Sequence, residues 1–119
     1  MLFRSITQET VDLASPFKQV LDNMNSFLYN FKDVTFCSWG FYDKKQLQQD
    51  CNYHKVKFPF SASHYNLKEE FAYKQQLDKS VGVGKALQLC NLKFEGTPHR
   101  GIDDAQNISR LCTIFLIKI

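Results

Sequence analysis

The segment from Val34 to Trp39 constrains this chain more than any other. It is a compact, mostly apolar run bounded by Asp33 and Gly40. Its length and its β-branched and aromatic content predict a strand buried on both faces. Most of the surrounding sequence has helical spacing instead. Thr7 to Ala14 reads as a short helix, and Ser15-Pro16 restarts the chain as an N-cap followed by proline at the first helical position. Phe17, Val20, Leu21, Met24, Phe27 and Leu28 then recur at intervals that predict an amphipathic helix over 16–30. Asp43 opens the next helix, with Leu47 and Cys51 on its inner side, and Phe58-Pro59-Phe60 breaks the chain. A short strand near Ser63–Leu67 follows, then helices from Lys68 to Gln76 and from Val83 to Leu89. The last helix runs from Asp103 to Lys118, with Ala105, Ile108, Leu111, Cys112 and Phe115 forming one stripe.

Helix, buried strand, helix, short strand, helices: this order predicts an α/β sandwich with few strands. Open sheets usually hold about four to six strands. Two fall short of that, so part of the sheet is expected to be missing.

Composition narrows the class. The 119 residues make one domain or part of one. Eleven Phe, five Tyr and one Trp leave too much to bury for an intrinsically disordered chain. No run approaches the ~20 apolar residues of a membrane span. Met1-Leu2-Phe3-Arg4-Ser5 has no apolar signal core, and Cys37, Cys51, Cys90 and Cys112 include no CxxC pair. A reducing, cytoplasmic location is therefore expected. Net charge is +3, and Lys44, Lys45, Lys55 and Lys57 against Asp50 give as much between residues 44 and 57. On charge alone that run reads as solvated surface.

Two places could carry chemistry. Asp43 follows the apolar strand, at the carboxyl end where open α/β folds gather ligands; Asp43-Lys44-Lys45-Gln46 equally fits a helix N-cap. The second place is Glu95 to Ile108, where a His and two adjacent carboxylates surround a glycine turn entering a helix. Asp104 lies about 40° from Ile108 and flanks the buried stripe, whereas Asp103 projects away, to cap the helix or meet solvent. His99 sits in the loop. A carboxylate with a neighbouring imidazole suits hydrolysis assisted by a divalent metal, and an aspartate cap with a surface histidine suits the same spacing. Gly82-Val83-Gly84-Lys85-Ala86 is no phosphate loop, because Lys79 and Ala86 stand where Gly and Ser or Thr are required. Cys51-Asn52-Tyr53-His54 has zinc-like local spacing, with His64 or Cys90 as further conceivable ligands, but no second pair.

His99-Arg100-Gly101-Ile102-Asp103-Asp104-Ala105-Gln106-Asn107-Ile108 resembles the third motif of the DEDDh 3′–5′ exonucleases, in which His-x4-Asp is the mark of the class. The nearest branch holds the enhanced-RNAi exoribonucleases and bacterial sporulation-inhibitor-type proteins. Phe36 to Asp43 resembles the second motif, and Ser63 to Lys68, Gly84 to Leu87 and Ile6-Thr7-Gln8 followed by Val11-Asp12 agree with it.

The resemblance implies an RNase H-like exonuclease fold acting on 3′ ends of single-stranded RNA or DNA. It further implies two divalent cations, Mg²⁺ or Mn²⁺, with Asp43 and Asp104 as ligands and His99 as general base. The family's first motif, an Asp-x-Glu on the first strand, has no counterpart in these residues. Glu9 and Asp12 lie in a predicted helix and do not supply it. Residues 1–119 are accordingly expected to be the C-terminal two-thirds of a single exonuclease domain, lacking the first strands of its sheet and inactive as this chain. The alternative expectation is a non-catalytic relic that serves as a nucleic-acid-binding or protein-interaction module. Its exposed sheet edge would pair with a second copy or a missing N-terminal fragment.

Overall fold

The computed structural model describes residues 6–60 and 63–115. Among these residues six helices and two short strands follow one another: α1 (Gln8–Leu13), α2 (Phe17–Leu28), β1 (Phe36–Ser38), α3 (Tyr42–Tyr53), β2 (His64–Asn66), α4 (Leu67–Lys74), α5 (Val83–Leu89) and α6 (Gly101–Phe115). The mixed α/β order is the one the sequence predicts. The end of the last helix, expected at Lys118, lies outside the described residues.

The two strands pair in parallel, Phe36 opposite His64, Cys37 opposite Tyr65 and Ser38 opposite Asn66. A parallel pair needs a crossover, and α3 supplies it. The expected burial of β1 on both faces does not hold. Ser38 is buried but Cys37 is exposed: successive side chains point to opposite faces, and the face that Cys37 shares is left open.

The core gathers where α4, α5 and α6 meet. Leu67 and Phe71 from α4, Ala86 and Leu87 from α5, and Leu111 and Phe115 from α6 form one buried cluster. Fully burying a Leu or Phe side chain contributes about 1.5–3 kcal/mol, so this cluster is the main apolar support of the fold. Phe71 meets the Phe115 ring edge-on at 5.4 Å and Trp39 at 5.8 Å, which ties the segment after β1 to the helical layer.

Local chemistry sets the helix ends. Thr7 caps α1, its side chain accepting the Thr10 amide at 3.1 Å. At α2, Pro16 itself occupies the cap position with no side-chain hydrogen bond, one residue later than Ser15, the expected cap. Of the apolar stripe on α2 only Leu21 is buried, while Val20 and Phe27 stay exposed. Asn66 caps α4 by accepting the Lys68 and Glu69 amides. No described helix is long and apolar enough to cross a membrane.

Candidate active site

Asp43 does not cap α3. Phe41 holds that position, and Asp43 lies in the first turn, where a carboxylate is favoured by the amide end of the helix. The chain reaches this turn through Gly40 at φ +100, a conformation an L side chain would strain to adopt. The Gly40 amide donates to Asn66 Oδ1 at 3.0 Å, and its carbonyl accepts the Ser38 hydroxyl at 2.8 Å.

Ser38 also meets His64 Nε2 at 2.7 Å. A hydroxyl has one proton, and here it goes to the Gly40 carbonyl, so His64 Nε2–H must be the donor. The imidazole is thereby fixed in one tautomer, leaving a bare, buried Nδ1 with no partner among the described residues. Burial, with a smaller push from Lys44, holds the His64 pKa below the usual histidine range, against a weaker opposing pull from Asp43. The Ser38 proton points away from the ring, so the pair is structural and not an activated nucleophile.

The second half of the site is a loop folded back on α6. Asn107, which is completely buried, holds it. Its amide nitrogen donates to the carbonyls of Glu95 at 2.8 Å and Asp103 at 2.7 Å. Its oxygen accepts the Glu95 amide at 3.0 Å and Arg110 at 2.8 Å. All four hydrogen bonds available to the side chain are made.

Asp103, expected to cap the helix or meet solvent, is not the cap residue and meets solvent only in part. It lies within α6 with a side chain only 14% exposed. It accepts the Thr97 amide at 2.9 Å and Arg100 at 3.2 Å. The Thr97 hydrogen bond chiefly holds its carboxyl below the usual carboxylate range. Close packing explains the glycine turn as well: a Cβ on Gly96, at φ +98, would stand 2.5 Å from Asp103 Cγ. The expected stripe on α6 holds at Ile108, Leu111, Cys112 and Phe115, which form or pack against the core, and fails at its first residue. Ala105 is exposed, and Asn107 takes the buried position four residues before Leu111.

His99 stands at the end of this loop in the left-handed region, φ +69, and its backbone amide donates to Asp104 Oδ1 at 3.2 Å. The three residues singled out by sequence come together here. Asp43, His99 and Asp104 line one cleft of about 460 Å³, whose wall includes Trp39, Phe94 and Ile108. Asp43 and Asp104 also border a second hollow of about 290 Å³, beside Cys37 and Ser38. Trp39 is fixed in the wall by its indole N–H, which donates to the Val81 carbonyl at 2.8 Å.

Among the described residues no group of three or more His, Cys, Asp or Glu side chains could hold a metal ion. The zinc-like pair dissolves accordingly: Cys51 is buried and His54 stacks on Phe17 at 4.8 Å. The side chains lining the main cleft include two hard carboxylates and the His99 imidazole with no thiolate, and the carboxylates fit a divalent cation such as Mg²⁺ as a partial ligand set. The sequence reading missed Asn107 and Ser38. A polar amide in phase with Leu111 and Phe115 was the available sign of the first, and nothing local marked the second.

No protein-family model matches the chain. It is 30% identical over 109 residues to the probable 3′–5′ exonuclease KapD of Bacillus subtilis, covering 92% of this chain and 53% of that protein. It is 27% identical over 121 residues to 3′–5′ exoribonuclease 1 of Homo sapiens, covering 93% of this chain and 34% of that protein. The crystal structure of a full-length 3′-exonuclease superposes with a TM-score of 0.86 at 25% identity, covering 96% of this chain and 40% of the other. The chain therefore spans about half the length of the one curated relative and about a third of the other. By sequence and by fold together, the chain is similar to 3′–5′ exonucleases.

Proposed function

We propose that this chain carries part of the active site of a DEDDh-type 3′–5′ exonuclease with an RNase H-like fold, acting on single-stranded RNA or DNA. The observation that supports the reading is the meeting of Asp43 with His99 and Asp104, from two separate segments, in one cleft. Asp43 and Asp104 would hold divalent cations, Mg²⁺ or Mn²⁺. Such ions, when bound, lower the pKa of water and stabilise a leaving oxygen. His99 takes a proton from the attacking water, the general-base role that an imidazole commonly fills. Trp39, Phe94 and Ile108 offer the terminal nucleoside an apolar wall to pack against.

Two carboxylates are few for two cations. An Asp-x-Glu strand, which these 119 residues do not contain, would complete the set. Among the described residues no group of three or more His, Cys, Asp or Glu side chains is arranged to hold a metal ion, which favours a second reading for the chain by itself, namely a non-catalytic module that binds nucleic acid or protein. An exonuclease assay separates the two readings. The chain alone, and the chain with an Asp-x-Glu strand joined ahead of it, are incubated with 5′-labelled single-stranded RNA or DNA and Mg²⁺ or Mn²⁺. A ladder of 3′-shortened products, abolished by His99→Ala, is expected from the completed chain. Absence of a ladder from folded, completed protein overturns the catalytic reading.

A further inference from the structure

The turn that launches Asp43 is anchored on both sides of the Gly40 Cα. The amide ahead of it is held by Asn66 Oδ1 at 3.0 Å and the carbonyl after it by the Ser38 hydroxyl at 2.8 Å. Both flanking peptide planes are thereby fixed, and with them φ and ψ of Gly40. Helix α3 starts at once: the Phe41 carbonyl accepts the Lys45 amide at 3.1 Å. Only the first turn of a rigid helix separates Gly40 from the Asp43 carboxylate.

The other ends of these anchors reach the core. Asn66 Oδ1 also accepts the Lys68 and Glu69 amides, at 3.1 and 3.4 Å. One oxygen therefore sets both the β1–α3 turn and the start of α4, the helix carrying Leu67 and Phe71. Ser38 is held in turn by the His64 imidazole on β2. Resting on the reading of Asp43 as a metal ligand, we infer that Ser38 and Asn66 are positioning residues: they lock the Gly40 turn to the core and so fix where the Asp43 carboxylate stands in the cleft.

The test is nuclear magnetic resonance on the full chain with Mn²⁺ as the probe. Ser38→Ala removes the carbonyl anchor and leaves the cap of α4 in place. Asn66→Asp keeps an acceptor, and Asn66→Ala does not. In Ser38→Ala the Gly40 amide should exchange about tenfold faster, roughly the worth of one hydrogen bond, while the Glu69 amide keeps its rate. Paramagnetic broadening of the Asp43 amide should then need about tenfold more Mn²⁺. Asn66→Asp should preserve the Gly40 protection that Asn66→Ala loses.

Unchanged Gly40 exchange in Ser38→Ala overturns the inference, and so does fast exchange with an unchanged Mn²⁺ requirement. Wild-type chain that shows no broadening at Asp43 or Asp104 defeats the metal reading instead. The residual dipolar coupling of the Asp43 N–H then decides the positioning claim: a change in Ser38→Ala upholds it, and an unchanged coupling overturns it.

Discussion

Asn107 and Glu95 are joined by a two-way hydrogen bond, the Asn107 amide nitrogen donating to the Glu95 carbonyl at 2.8 Å and its oxygen accepting the Glu95 amide at 3.0 Å. A side chain inside a helix thus imitates a strand partner for the loop that ends at His99.

Removing that partner leaves part-buried backbone groups of Glu95 and Asp103 without it. Asn107→Ala should cost about 2–4 kcal/mol, within the range for breaking a buried polar network. Asn107→Asp, which keeps one acceptor but turns a carboxylate oxygen towards the Glu95 and Asp103 carbonyls at a fully buried position, should cost at least as much. Urea unfolding of the three proteins provides the comparison, and a loss near zero for the alanine variant would show that the loop is held by other means.

Asp103 gives the loop an acid-sensitive tie. Its pKa is depressed in the folded chain, chiefly by the Thr97 amide and then by Arg100. Its contribution is therefore complete above the unfolded value of about 3.9 and fades as pH falls through the lower folded value. Melting temperatures should drop more steeply below about pH 4 in wild type than in Asp103→Asn. Parallel curves would remove Asp103 from the acid response.

His64 acts in a separate window. Its folded pKa lies below the ordinary value of about 6.5, so the unfolded chain binds the proton more readily. Stability should therefore fall as pH drops from about 7.5 towards 5, with no further His64 contribution once the folded ring is protonated as well. Substituting His64→Gln should flatten this part of the profile. A wild-type melting temperature that is level across the window would contradict the assigned neutral ring.

Trp39 is the chain's single tryptophan and lines the main cleft, which makes its fluorescence a local reporter. A nucleoside 5′-monophosphate titrated with Mn²⁺ should quench it saturably, and unaltered emission at saturating ligand would argue against binding there. Trp39→Phe, which loses the hydrogen bond to the Val81 carbonyl, should cost about 1–2 kcal/mol in thermal or urea unfolding.

What was legible in the sequence was local. Helix α5 falls on the expected residues, Val83–Leu89, since a short apolar pattern bounded by glycine and polar residues carries its own limits. The site residues were legible through motif spacing, and Asp43, His99 and Asp104 do share a cleft. The exposure of Cys37 was not legible, because burial of a strand depends on which neighbours flank it. Nor was the Ser38–His64 contact, made between residues far apart in sequence whose side chains show no periodic pattern. Asp103 was misjudged because helical phase describes which way a residue points and says nothing of a loop that folds back to meet it.

The main cleft has walls drawn from the β1–α3 turn, the start of α5, the loop before α6 and α6 itself, so no single segment can form it. Whatever lodges there must favour the assembled chain over the open one, and its binding free energy adds to the folding equilibrium by mass action. A good occupant is consequently also a clasp. It would slow the parting of the two halves of the polypeptide, and a partner that prised them apart would expel it.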